Sequence, residues 1–123
     1  MAPVGGLTGR RILVAEDEFF IADEVVQALE GEGALVIGPA PTVAHLMALL
    51  QAEDRIDGAV LDVNLNGEMV WPAVAALLAR GVPVLLATGY DAAVVPADYG
   101  HLPRCAKPVA MADLTRALTR RLT

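Results

Sequence analysis

The stretch ILVAEDE, residues 12–18, carries four apolar residues straight into three acids. A short apolar run without alternation is the mark of a strand buried on both faces. Three carboxylates at the end of such a strand have two explanations. They are the solvated start of a helix, where acids favour the helix dipole, or they belong to a site that uses their charge.

Working outward, short apolar runs alternate with helical periodicity along the whole chain, the pattern of a parallel sheet covered by helices on both faces. Strands are expected at 11–15, 34–37, 58–61, 83–87 and, more weakly, 104–106. Ile21, Ala22, Val25, Val26 and Leu29 form one helical stripe, and Val43, Leu46, Met47 and Leu50 a second. Gly31 and Gly33 stop the first helix. Pro72 sits in the first turn of the third, where a missing N–H costs nothing. Met111, Leu114, Ala117, Leu118 and Leu122 mark the last helix. Residues 91–102 hold two half-patterns and an interior proline, so the helix between the last two strands is expected to be short or irregular.

At 123 residues the chain is long enough for one domain with a real core. The net charge of −6 sets its overall field against nucleic acid, and the five basic residues from Arg104 onward make only a mild patch. One cysteine, Cys105, excludes an internal disulfide and suits a reducing compartment. The longest apolar stretch, MVWPAVAALLA at 69–79, falls short of a membrane span, and residues 1–9 lack the basic start and apolar core of a leader. A cytoplasmic protein with a flexible tail at 1–9 and one domain at 10–123 is expected.

In open parallel sheets, ligands bind outside the carboxyl ends of the strands. The first strand delivers Glu16 and Asp17 there, the third Asp62, the fourth Thr88 and the fifth Lys107. Converging carboxylates repel one another unless a cation sits among them, and an all-oxygen set suits Mg²⁺. A metal-bound carboxylate beside a hydroxyl and an ammonium is equipment for phosphoryl transfer, with Asp62 as the nucleophile that becomes an aspartyl phosphate. Lys107 is the single lysine against eight arginines, which favours a compact point charge at that position.

At these residues the chain resembles the receiver domain of two-component response regulators, of the CheY type, from Arg10 to its end. The resemblance rests on LVAEDE, AVLDVNLNGE, LLATGY and CAKPV, in that order. It implies a flavodoxin-like sheet of five parallel strands in the order 2-1-3-4-5 with five helices. Carried over by position, Asp62 accepts phosphate from a phosphohistidine on a sensor histidine kinase or phosphotransfer protein. Asp17, Asp62 and the backbone carbonyl of Asn64 bind Mg²⁺, and Glu16 holds a metal-bound water. Thr88 bonds a phosphoryl oxygen, Lys107 pairs with the aspartate or its phosphate, and Gly89 leaves the site open to the donor. Glu18 is assigned only to the helix start.

Two positions depart from the family pattern. Arg104 stands where the family often has an aromatic whose inward swing reports phosphorylation, and NLNGE replaces the common Met-Pro after the phosphoacceptor. PVLLATGY is similar to the Pro-Phe-x-Phe-Ala-Thr-Gly-Tyr motif of a subclass of mostly single-domain bacterial receivers, with Val84 and Leu86 in place of the phenylalanines. The resemblance implies a phosphoacceptor signalling domain acting through a protein partner, with no turnover beyond its own phosphorylation and dephosphorylation.

Two other readings stay open. One is a phosphatase of the haloacid dehalogenase type, which would put its nucleophile in the first strand and a second acid two residues later, where this chain has Asn64 after Asp62. The other is a receiver used as an unphosphorylated adaptor. Trp71 and Tyr90 are either a partner-binding patch or, for Trp71, core packing. Cys105 reads as a small strand hydrophobe, and Met47, Met69 and Met111 as core filler. His45 and His101 have no partner at metal spacing and receive no role.

Overall fold

In the computed structural model, which describes residues 6–88, 95–107 and 110–122, Arg11–Ala15 is a strand, β1, whose last four side chains are buried. Successive side chains point to opposite faces, so Leu13 and Ala15 enter one core cluster, and Ile12 and Val14 the other. A sheet with two apolar faces needs a helical layer on each. Those layers come from the expected stripes, in chain order: α1 (Phe19–Gly31), β2 (Leu35–Ala40), α2 (Val43–Ala52), β3 (Gly58–Asp62), a small hairpin of β4 (Asn64–Leu65) and β5 (Glu68–Met69), α3 (Trp71–Ala79), β6 (Val84–Thr88), a 3-10 turn (Ala97–Tyr99), β7 (Arg104–Ala106) and α4 (Met111–Leu122).

The main sheet runs β2-β1-β3-β6-β7, all parallel, which is the expected 2-1-3-4-5 once the hairpin is set aside. Val43, Leu46 and Leu50 of α2 and Val74 and Leu77 of α3 pack with Leu13, Leu61 and Leu86 on one face. Val25 and Leu29 of α1 and Leu114 and Leu118 of α4 pack with Ile12, Val60 and Leu85 on the other. Met47 and Met69 lie against the first cluster, Met111 and Cys105 against the second. The chain steps from β1 out to β2 and then crosses to β3 on the other side of β1. The strand order thus switches between β1 and β3, the place where such sheets open a crevice at their carboxyl ends. Asp17 and Asp62 leave the sheet there.

Local sequence explains the ends of these elements. The Thr42 hydroxyl accepts the His45 N–H at 3.1 Å and starts α2. Pro72 falls in the first turn of α3. Gly33 has φ +91°, and a Cβ there would come within 2.8 Å of the Thr8 backbone, so this glycine both stops α1 and makes room for the incoming chain.

Three features differ from expectation, and a fourth, the short or irregular helix, is as expected where it is described. β2 runs on to Ala40, through Gly38 and Pro39, because it lies at the sheet edge, where a proline removes no ladder bond. NLNGE folds into the β4–β5 hairpin, with Asn66 at φ 52° and Gly67 at φ 91°, the paired positive angles of a tight Asn-Gly turn. The expected tail at 1–9 is ordered in its second half: Leu7 is fully buried in the α1–α4 layer, and its N–H donates to the Glu32 carbonyl at 3.0 Å. One leucine with an apolar cluster in reach has enough area to anchor the segment. Of the irregular helix expected at 91–102, residues 91–94 lie outside the described set, and 97–99 form the 3-10 turn. Among the described residues there are thus four α-helices against the five that the resemblance implies.

Candidate functional site

Glu16 directly follows β1, and its own N–H donates to the Ala40 carbonyl at 3.0 Å, which carries its side chain inward. Asp62 ends β3, the central strand. Glu16 is 5% exposed and Asp62 7%, the two buried charged side chains among the described residues. Lys107, just past β7, reaches both: its Nζ lies 2.8 Å from Asp62 Oδ2 and 3.0 Å from Glu16 Oε1. The remaining oxygens are held by backbone donors, Asn64 N–H to Asp62 Oδ1 at 3.2 Å and Glu18 N–H to Glu16 Oε2 at 3.1 Å. Parallel strands in register bring these groups together from three positions in the chain.

Asp17 completes the cluster. One oxygen from each of Glu16, Asp17 and Asp62 lies within 4.8 Å of the others. Asp17 is half-buried, and its Oδ2 accepts the Asn66 N–H from the hairpin at 2.8 Å. The hairpin is closed by the Asn64 side chain, whose Oδ1 accepts the Gly67 N–H at 2.7 Å.

Electrostatics follow from this geometry. Burial pushes the Glu16 carboxyl up to about 7 against the opposing pull of its bond to Lys107. Burial also opposes the Lys107 charge, but its bonds to Asp62 and Glu16 outweigh that and hold its pKa above the ordinary lysine value. Three carboxylates against one ammonium leave an excess of two negative charges when all are ionised, which a divalent cation would balance. The donor set is oxygen only and fits a hard cation such as Mg²⁺.

Of the residues expected at the site, Glu16, Asp17, Asp62 and Lys107 are brought together, and Asn64 sits beside Asp62 at the start of the hairpin. Thr88 ends β6, with its backbone in register with Ala106, and its side chain lies outside what the structure describes. Gly89, Tyr90 and Pro108 also lie outside the described residues. Glu18 is exposed and immediately precedes α1. Arg104 is exposed, and its guanidinium donates to the Gly100 carbonyl at 3.0 Å. Trp71 is half-buried against the α2–α3 core and stacks on Tyr99, with ring centroids 5.5 Å apart.

Sequence reasoning missed two features. Phe19 and Phe20, the only phenylalanines, are 76% and 80% exposed directly after the acids. Phe20 sits opposite the Ala22–Val25–Leu29 stripe on α1, a helical phase that was available as a signal. The second is Asn66, whose Asn-Gly pair announces a hairpin but not what its amide meets.

The fold and site together define a class. The chain is 36% identical to SdrG from Sphingomonas melonis Fr1, known as a solution structure, over 92% of this chain and 94% of that one, with a TM-score of 0.77. It is 35% identical to the BeF3-activated conformation of SdrG from Pseudomonas melonis Fr1, over 92% and 96%, at 0.74. A CheY-like response regulator receiver domain protein from Methanospirillum hungatei JF-1 is 28% identical over 94% of each chain, at 0.80. The chain belongs to the response regulator receiver family. No family model and no curated protein matches it.

Proposed function

We propose that the chain is a phosphorylation-dependent signalling receiver in which Asp62 takes a phosphoryl group from a phosphohistidine on a sensor histidine kinase or phosphotransfer protein. The observation that carries this reading is the Asp62 carboxylate itself. It is buried at the end of the central strand, with Lys107 Nζ at 2.8 Å and Glu16 and Asp17 alongside, and it lines a pocket with Glu16 and Lys107.

In the transfer, an Asp62 oxygen forms a new P–O bond as the donor's P–N bond breaks and the imidazole leaves. Lys107 holds the other carboxylate oxygen and afterwards stands beside the added phosphoryl charge. Asp17, Asp62 and the Asn64 carbonyl would hold Mg²⁺, with Glu16 reaching it through water. The ion would supply charge neutralisation on the transferring group. Thr88 would donate to a phosphoryl oxygen.

The exposed, edge-to-face pair Phe19 and Phe20, next to the acids, supports a protein as the donor, since exposed aromatics are the side chains protein interfaces favour. A haloacid dehalogenase reading finds no support, because Asp62 lies on β3 and the other acids follow β1. The reading predicts that incubation with acetyl phosphate and Mg²⁺ adds one phosphate by intact mass, and that Asp62→Asn adds none. No adduct on the wild type would favour an unphosphorylated adaptor, and an adduct surviving the substitution would refute Asp62 as acceptor.

A further inference from the structure

The three acids of the cluster are not held alike. Glu16 is fixed by Lys107 and the Glu18 N–H, and Asp62 by Lys107 and the Asn64 N–H. Asp17 forms no ion pair among the described residues, and its one partner there is the Asn66 N–H, 49 positions away in sequence, at 2.8 Å. Asn66 is exposed and stands at φ 52°, a left-handed conformation that costs an L-residue roughly 1–2 kcal/mol but that asparagine tolerates best after glycine. Its side chain has a second use: Nδ2 donates to the Pro41 carbonyl at 3.2 Å. One residue thus joins the hairpin to the loop after β1 and to the loop after β2.

We infer that Asn66 is a positioning residue, whose backbone N–H holds Oδ2 of Asp17 and so turns the other oxygen of that carboxylate toward Glu16 and Asp62. The bond is charge-assisted and fixes a carboxylate that would otherwise rotate, because Asp17 is only half-buried. Oriented ligands bind a cation without first having to be ordered, and partners of this kind typically matter about 10- to 100-fold in metal affinity. The side-chain bond to Pro41 anchors the turn, and the backbone N–H acts on Asp17. The inference rests on Asp17 as a cation ligand, as proposed above.

Two substitutions separate these parts. Asn66→Gly keeps the N–H and the positive φ but loses the bond to Pro41, whereas Asn66→Pro has no N–H and cannot adopt that φ. Mg²⁺ titrated calorimetrically should bind Asn66→Gly within about threefold of the wild type, and Asn66→Pro about 10-fold or more weakly. A purely structural role would lower the melting temperature of both variants and leave their Mg²⁺ affinities alike, which would overturn the inference. Wild-type protein that binds no Mg²⁺ would instead remove the cation reading beneath it. Should Asn66→Pro fail to fold, amide exchange in the metal-free wild type decides. The Asn66 amide should be protected about 10-fold or more and lose that protection in Asp17→Ala. An unprotected amide, or protection unchanged in Asp17→Ala, overturns the inference.

Discussion

Glu16, Asp17 and Glu18 are consecutive acids in three environments. Glu16 is buried against Lys107, Asp17 faces the hairpin, and Glu18 is exposed at the head of α1. What ties Glu18 to the site is its backbone N–H, which any residue at 18 would supply. Asp17→Ala should therefore weaken Mg²⁺ binding about 10-fold or more and slow phosphorylation by acetyl phosphate, and Glu18→Ala should change neither by more than about twofold. Calorimetric titration and the rate of adduct formation by mass measure both, and equal losses would contradict the division. The types of these residues were legible in the sequence, since an apolar run followed by acids marks a strand end. Their different roles were implied by the family resemblance, but their burial and partners were not legible, because Lys107 pairs with Glu16 and the Asn66 amide with Asp17 from far along the chain.

At the scale of elements, the strand starts are fastened as deliberately as their ends. Arg11 N–H donates to Asp57 Oδ2 at 2.8 Å, Asp57 N–H returns a bond to the Arg11 carbonyl at 2.8 Å, and Arg55 pairs with the same carboxylate at 3.1 Å. Burial alone would raise the Asp57 pKa, but the bonds from Arg11 N–H and Arg55 outweigh it and hold the group below the ordinary value of 3.8. A carboxylate with a depressed folded pKa contributes stability above its unfolded pKa and loses it as the pH falls through the folded one. Asp57→Ala should thus cost about 1–2 kcal/mol at neutral pH, with the difference shrinking below pH 3.8, as read by urea denaturation across pH. A difference that persists in acid would mean that packing, and not the carboxylate, does the fastening. Four strands of the main sheet were legible as apolar runs between helical stripes, and β7, Arg-Cys-Ala, only weakly. The β4–β5 hairpin is announced only by its Asn-Gly pair, because two-residue strands carry no alternation, and NLNGE otherwise reads as a replacement for the family's Met-Pro.

Across the whole molecule, the packed unit begins before the boundary that composition suggested. Small, glycine-rich residues surround Leu7, so the segment looks like a tail until the α1–α4 layer supplies a place for it. Leu7→Ala should cost about 3 kcal/mol in chemical denaturation, and a loss under about 0.5 kcal/mol would return residues 6–9 to the tail. Among the described residues no helix is long and apolar enough to cross a membrane. The sequence by itself determined the order of the main-sheet strands and α-helices, the two-faced sheet and the residues delivered to its carboxyl edge, because hydrophobic period and strand length are local properties of the chain. Only the tertiary structure decided that Lys107 bridges Glu16 and Asp62, that burial raises the Glu16 pKa, and that the Asn66 amide meets Asp17. Those depend on the register of parallel strands and on the backbone angles of one tight turn, and a hydrogen bond across 49 residues leaves no periodicity to read.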